Sequence, residues 1–284
     1  MSDPTIEQFL PGLGVESRKT STGVAYVRYG SGEPLILFHG GAGSWNHWVC
    51  NIPALSEQFQ VNAVDSPNYG ASDAVDREIE VDDYLALICR AVDEMTAGAE
   101  RVHVAGFSFG GAVAAAVTAH LGRRAASLSL TGTAGFKPSP QRRRLPLKSE
   151  RRLREDLGRE PTPGELRELH KANLGLLMVW DKAKLDERAV DMQIANVTRT
   201  RFDSRRVSWS GATPQYLAAT ACPINIIYGE HDASAFPSIG ERVRLCREAR
   251  PAAAHTLLED CGHWAMYEAP DRINHELLKF HGAV

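Results

Sequence analysis

The stretch from Val102 to Gly111, Val-His-Val-Ala-Gly-Phe-Ser-Phe-Gly-Gly, constrains this chain more than any other. Val102, Val104 and Phe107 have the pattern of a short buried strand. The run from Phe109 through Val117 has that of a helix opening on small residues. A strand that turns at once into a helix forces the residue between them into strained backbone geometry, and glycines two positions either side keep neighbouring backbone from colliding. The G-x-S-x-G spacing of Gly106, Ser108 and Gly110 therefore predicts that Ser108 is pushed out of the sheet with its hydroxyl exposed at a helix N-terminus. The same turn also serves plain packing. Its chemistry depends on whether the chain supplies a base, an acid and an oxyanion site.

Upstream, Val24 to Tyr29 reads as an early strand and Leu35 to Phe38 as a strand covered on both faces, ending in the loop His39, Gly40, Gly41, Ala42, Gly43. A glycine-rich loop of this kind lets backbone N–H groups face a ligand. A helix is expected over Trp45 to Leu55 and a strand over Val61 to Val64. Asp65 is expected to stabilise its own turn and Asp73 to cap the following helix, in which Val81, Leu85, Ile88, Val92 and Met95 share one stripe. Ser127 to Leu130 is a further strand. Strand and helix alternate throughout, which predicts an α/β fold with a mostly parallel central sheet flanked by helices.

From about Phe136 the pattern changes. Residues 137–211 hold no convincing buried strand and are dense in arginine (Arg142, Arg143, Arg144, Arg151, Arg152, Arg154), with helices expected near Pro163 to Trp180 and Leu185 to Asn196. We read this segment as an inserted helical lid, and 1–136 with 212–284 as the core domain. The core pattern returns with the strand Ile224 to Tyr228, a helix over Pro237 to Arg247, the strand His255 to Leu258 and a closing helix from Pro270 to Phe280.

A net charge of −3 gives no basic footprint for nucleic acid, and the acidic residues among the arginines of the insertion point to a solvated surface. The polar N-terminus has no apolar signal region, and no stretch approaches the roughly 18 apolar residues of a membrane span. Five widely spaced cysteines without a C-x-x-C pair read as reduced core thiols, the usage of a cytoplasmic protein. The expected partner is a small-molecule substrate, without nucleic acid or membrane, in a monomer or a homodimer.

Ligands of open parallel sheets bind outside the C-terminal strand ends, where four features of this chain fall: the glycine loop after Phe38, Ser108, Asp232 after Tyr228, and His263 after Leu258. Serine, aspartate, histidine is a known chain order for nucleophile, orienting acid and base. Imidazole has a suitable intrinsic pKa to take the serine proton, and the acid holds the imidazole tautomer. His39 is an alternative base by position, and Asp260 an alternative acid, although a loop residue three positions from His263 is poorly aimed at its ring. His103 is expected in the core. No H-E-x-x-H, spaced Cys/His set or G-x-G-x-x-G with a ribose acid supports a metal or dinucleotide enzyme, so no cofactor is expected.

The segments His39-Gly40-Gly41, Asp65 to Asp73 (DSPNYGASD), Gly106 to Gly111 (GFSFGG), Gly229 to Asp232 (GEHD) and Gly262-His263 together resemble the α/β-hydrolase family over nearly the whole chain. The resemblance implies that family's fold with a cap over residues 137–211, and catalytic Ser108, Asp232 and His263. It also implies an oxyanion hole made by the backbone N–H groups of Phe109 and Gly41, and that His39 shapes its loop. Serine at position 108 sets aside the alkyl-enzyme route that an aspartate there would imply.

Candidate substrate-binding residues are Trp45, Trp180 and Trp264, as walls of an apolar pocket, and Arg199 and Arg201 of the insertion, as anchors for a substrate carboxylate. The main expectation is hydrolysis of a carboxylic ester of a small, partly apolar or aromatic molecule. The run His263 to Glu268 is also similar to that of hydrolases cleaving carbon-carbon bonds in dienoic ring-fission products. Those usually carry asparagine before the nucleophile, and this chain has Phe107. A non-catalytic binding protein on the same fold would typically lack a triad member, and none is missing here.

Overall fold

The computed structural model describes residues 3–140 and 145–284. The run Arg142 to Arg144 lies outside the described residues. Among the described residues eight strands form one sheet: β1 (Glu16–Lys19), β2 (Ala25–Tyr29), β3 (Pro34–Phe38), β4 (Gln60–Val64), β5 (Val102–Phe107), β6 (Ala125–Thr131), β7 (Ile224–Gly229) and β8 (Ala254–Leu258), in the order β1-β2-β4-β3-β5-β6-β7-β8. From β4 to β8 every neighbouring pair is parallel, whereas β2 runs antiparallel to both β4 and β1. The edge strand β1 is exposed along its length and carries none of the apolar alternation that would mark it as a strand.

The central strands are buried on both faces, and their side chains alternate between two cores. Ile36, Phe38, Val102 and Val104 enter one apolar cluster; Leu35, Leu37, Ala105 and Phe107 enter the other. The first cluster is covered by the helices Val81–Met95 and Phe109–Leu121, the latter apolar on almost every side and correspondingly buried. The second is covered by the closing helix Pro270–Gly282 and the segment 45–55.

That segment is not one helix. It divides into a 3-10 turn, Trp45–Trp48, and a short helix, Ile52–Leu55, because Pro53 cannot donate into a continuing helix and instead starts a new one. Asp73 does not cap a helix either. It pairs with Lys19 at 2.7 Å, and the helix starts at Val81 with Glu80 at its cap.

Between β6 and β7 the described residues of the insertion form the helices Glu150–Leu157, Pro163–Leu177, Glu187–Thr198 and Arg205–Ser208. Pro163 opens its helix behind Thr162, whose hydroxyl and the Glu165 carboxylate close a reciprocal capping box. A further helix, Thr213–Ala219, packs on Phe109–Leu121 and Ile239–Ala249 and so rejoins the sheet layers. Among the described residues no helix is long and apolar enough to cross a membrane. All five cysteines are free thiols, four of them buried.

Truncating a fully buried side chain in the central strand should destabilise the whole domain. Ile36→Ala is expected to lower the unfolding free energy by about 2–5 kcal/mol in a urea titration, and an unchanged midpoint would contradict the two-faced burial of β3.

Candidate active site

Ser108 is the single residue between β5 and the helix Phe109–Leu121, and it sits at φ 53°, ψ −117°, a conformation that L-residues adopt only under constraint. The constraint is backbone pairing. Its N–H donates to Thr131 O at 3.0 Å, and its carbonyl accepts from Gly111 N and Ala134 N at 2.9 and 3.0 Å. The flanking glycines are required by contact: a Cβ on Gly106 would lie 2.2 Å from Gly110 O, and one on Gly110 only 2.5 Å from Phe38 O. Phe109 N–H belongs to the first helical turn, where no intrahelical acceptor exists.

Beyond β7 and β8, two loops bring an acid and a base together. His263 Nδ1 lies 2.8 Å from Asp232 Oδ2, with both side chains buried. A carboxylate oxygen can only accept, so Nδ1 carries the hydrogen and Nε2 presents its lone pair. Ser234, on the same turn as Asp232, donates its hydroxyl to Asp232 Oδ1 at 2.7 Å and stands 3.0 Å from His263 Nδ1. It thus occupies the oxygen that the imidazole leaves free. The loops touch so closely that a Cβ on Gly229 would meet Gly262 O at 2.2 Å.

Ser108 and His263 both line a cavity of about 500 Å³, together with Gly41, Phe107, Phe109, Phe136, Met178 and Phe236 among others. Among the described residues the Ser108 hydroxyl makes no hydrogen bond to the ring, a contact that ligand-free sites often tighten only with substrate bound.

The glycine loop after β3 is held by two buried histidines. His39 Nδ1 contacts Gly40 O at 2.7 Å and its Nε2 accepts from Ser66 N at 3.0 Å, so both nitrogens are used in shaping the loop and neither faces a proton-transfer partner. His47 Nδ1 accepts from Gly40 N at 3.2 Å, a support that sequence reading missed because nothing local marks it. Asp65 accepts from Trp45 N and Ala71 N at 2.7 and 2.8 Å, so it does brace its own turn. Asp260 faces Glu230 and His231, away from the imidazole, and His103 is buried against Ser127 and Glu33.

The five residues expected to bind substrate do not line the cavity. Trp45 and Trp264 are about 1% exposed and act as struts: the Trp45 indole donates toward Asp3 and Thr5, and that of Trp264 to His47 O at 2.9 Å. Trp180 is half exposed and stacks on His231 at 3.8 Å. Arg199 is paired with the buried Asp3 at 3.0 Å. Arg201 is exposed, held through its backbone N–H to Asn68 O. In each case a partner distant in sequence claims the side chain or its backbone.

Two further residues support the geometry. Glu268 is buried and accepts from the backbone N–H groups of Trp180, Asp181 and Gly262, tying the histidine loop to the insertion. Gly132, at φ 53°, lies beneath the acid–base pair, where a Cβ would stand 2.9 Å from His263 Nδ1 and 3.0 Å from Asp232 Oδ2.

This geometry can be set beside known proteins. The sequence profile of the alpha/beta hydrolase family matches residues 35–276, which is most of the chain. The chain belongs to the alpha/beta hydrolase family. Within it, the chain is 28% identical over 277 residues to a 2-hydroxy-6-oxononadienedioate/2-hydroxy-6-oxononatrienedioate hydrolase of Paraburkholderia phymatum, covering 93% of this chain and 92% of that protein. A protein of the same name from Klebsiella pneumoniae is 29% identical over 87% of this chain and 86% of its own. Among solved structures, a meta-cleavage product hydrolase from Pseudomonas fluorescens superposes with a TM-score of 0.70 at 23% identity, over 94% of this chain and 97% of that one. A lipase-like protein from Acinetobacter baumannii reaches 0.75 at 20% identity, over 99% and 95%. At these identities the structural likenesses establish the hydrolase fold alone.

Replacing Gly132 by alanine should displace the imidazole while leaving every reacting group chemically unchanged. With Ser108 acting at a carbonyl, kcat is expected to fall roughly a hundredfold while the protein still folds, and normal kcat would show that the contact is readily relaxed. Stability also depends on pH through buried titratable groups. Burial lowers the His39 pKa from its ordinary 6.5 to about 4, so between those values the unfolded chain binds a proton that the folded chain refuses, and stability falls as pH drops through that window. Burial moves Asp65 in the opposite sense, from 3.8 up to about 7, which adds stability at low pH that is lost as pH rises through 7 and masks part of the slope. Comparison with His39→Gln isolates the first effect. In urea titrations the parent's advantage over that variant should shrink between pH 7 and pH 4 by on the order of 2–3 kcal/mol, and a constant difference would assign the slope elsewhere.

Proposed function

We propose that the chain is a serine hydrolase in which Ser108 is the nucleophile, His263 the base and later acid, and Asp232 the group that orients and charge-stabilises the imidazole. The observation that carries the proposal is the strained Ser108 opening into the same cavity as an imidazole whose Nδ1 is already held by a buried carboxylate at 2.8 Å. His263 Nε2 takes the serine proton as the oxygen adds to a carbonyl carbon. The resulting oxyanion accepts hydrogen bonds from Phe109 and Gly41 N–H.

For the bond cleaved, we infer a carbon-carbon bond beside a ketone in a dienoic ring-fission product. This is supported by near full-length similarity to relatives named as hydrolases of such compounds. When the tetrahedral adduct collapses, that bond breaks and its electron pair moves to the dienoate carbon, which takes the proton held by His263. Water, deprotonated by the same imidazole, then hydrolyses the acyl-serine and releases a carboxylic acid. Such a carbon leaves only when its charge is delocalised, which fits a conjugated acid and disfavours a simple ketone.

Ester hydrolysis is the second reading. It is favoured by Phe107, which fills the position where the similar carbon-carbon hydrolases usually carry asparagine and packs its ring 4.7 Å from that of His263. An ester needs no help for its alkoxide leaving group beyond a proton from the imidazole.

Ser108→Ala is expected to lower turnover about 10⁴-fold or more, and near-native turnover would remove Ser108 from the mechanism. Offered a yellow dienone acid beside a panel of aryl and alkyl esters, the protein should bleach the dienone with the higher kcat/KM. The reverse ranking would establish the esterase reading.

A further inference from the structure

Among the described residues two arginines line the cavity, and they are not equivalent. Arg205 is committed to Asp203, donating from Nε and Nη2 to the two carboxylate oxygens at 2.7 and 2.6 Å. Arg242, in the first turn of the helix Ile239–Ala249, has no hydrogen-bond acceptor for any of its donors and no ion-pair partner among the described residues. Its guanidinium carbon rests 4.6 Å from the centroid of the Phe136 ring. Contact with an aromatic face leaves the in-plane N–H donors of a guanidinium available. The acids that act on it are already taken, Asp232 by His263 and Ser234 and the adjacent Glu241 by Arg244. A half-buried cation beside apolar walls, with its donors unmet, lacks a counter-charge that a ligand can supply.

We propose that Arg242 anchors a carboxylate on the substrate, so that the cavity selects monoanionic acids with an apolar or conjugated remainder packed against Phe107, Phe136 and Phe236. The guanidinium offers a planar fork that matches a carboxylate bidentately, and Ser108 and His263 line the same cavity. This assigns to a core helix the anchoring that the sequence suggested for Arg199 or Arg201. It deepens the function proposed above and rests on it only in taking this cavity as the substrate site. It holds for either bond cleaved.

The test is binding to the full-length protein by calorimetry, using sorbate, a dienoic monoanion, and its uncharged amide, sorbamide. The parent is expected to prefer sorbate roughly ten- to a hundredfold, the difference that charge-assisted hydrogen bonds supply. Arg242→Gln should abolish that preference with little change in the Kd for sorbamide, and Arg242→Lys should retain part of it, which guards against a variant that fails to fold. An arginine that merely balances Asp232 would instead weaken both ligands equally. That result, an unchanged preference, or no preference in the parent would each overturn the proposal. A sorbate preference lost in Arg242→Gln, in a protein that does not bleach the dienone, would uphold the anchor and reject the carbon-carbon reading. Bleaching with an unaltered preference would do the reverse.

Discussion

A strand that passes without interruption into a helix has almost no volume around its turn, and the close approaches around Ser108 follow from that. Ser108 is held at positive φ by three backbone hydrogen bonds, while Gly106 and Gly110 let the start of the helix press against its own strand and the end of β3. The same approach brings the glycine loop at 39–43 beside the serine. One steric requirement thereby fixes the position of the hydroxyl, the orientation of the helix N-terminus and the course of the neighbouring loop.

The rest of the crevice consists of loops, and loops hold a geometry only when their polar groups are satisfied. Here buried side chains do this. His39 and His47 engage the backbone of the glycine loop, Asp65 gathers two amides at the next turn, and Glu268 gathers three where the histidine loop meets the insertion. Trp264 adds a strut between the histidine loop and residue 47. A buried carboxylate without such donors would be costly, so the loops around Asp65 and Glu268 are each locked to the acid that they surround. Ser234 and Gly132 serve the same end at the acid–base pair, one by hydrogen bonding and the other by leaving room.

The helical insertion divides its residues between cover and solvent. Leu177 and Met178 reach the cavity, as does Trp209 farther along. The arginines of the helix Glu150–Leu157 face water instead, with Arg151 and Arg152 paired to Glu155 and Asp156 one turn on. Such exposed pairs contribute little to stability. The arginine pairs of this helix are therefore a surface feature, whereas the cation to which we assign substrate anchoring comes from the helix Ile239–Ala249 after β7.

The local pattern of residues was sufficient for the parallel core, the strand-turn-helix at Ser108 and the positions of Asp232 and His263 at strand ends, because burial on both faces and backbone strain leave their mark on adjacent residues. Such signals do not extend to β1, whose residues are all polar and exposed, while the break at Pro53 is marked by the proline itself but sits in a segment otherwise apolar enough for one helix. Only the tertiary structure decided which polar and aromatic residues face the cavity. Trp45, Trp264 and Arg199 look like ligand contacts in the sequence but are engaged by Asp3, Thr5 and His47, while Arg242 looks like one more surface arginine on an amphipathic helix. Side-chain engagement depends on partners tens to hundreds of residues away, and no local pattern carries that information.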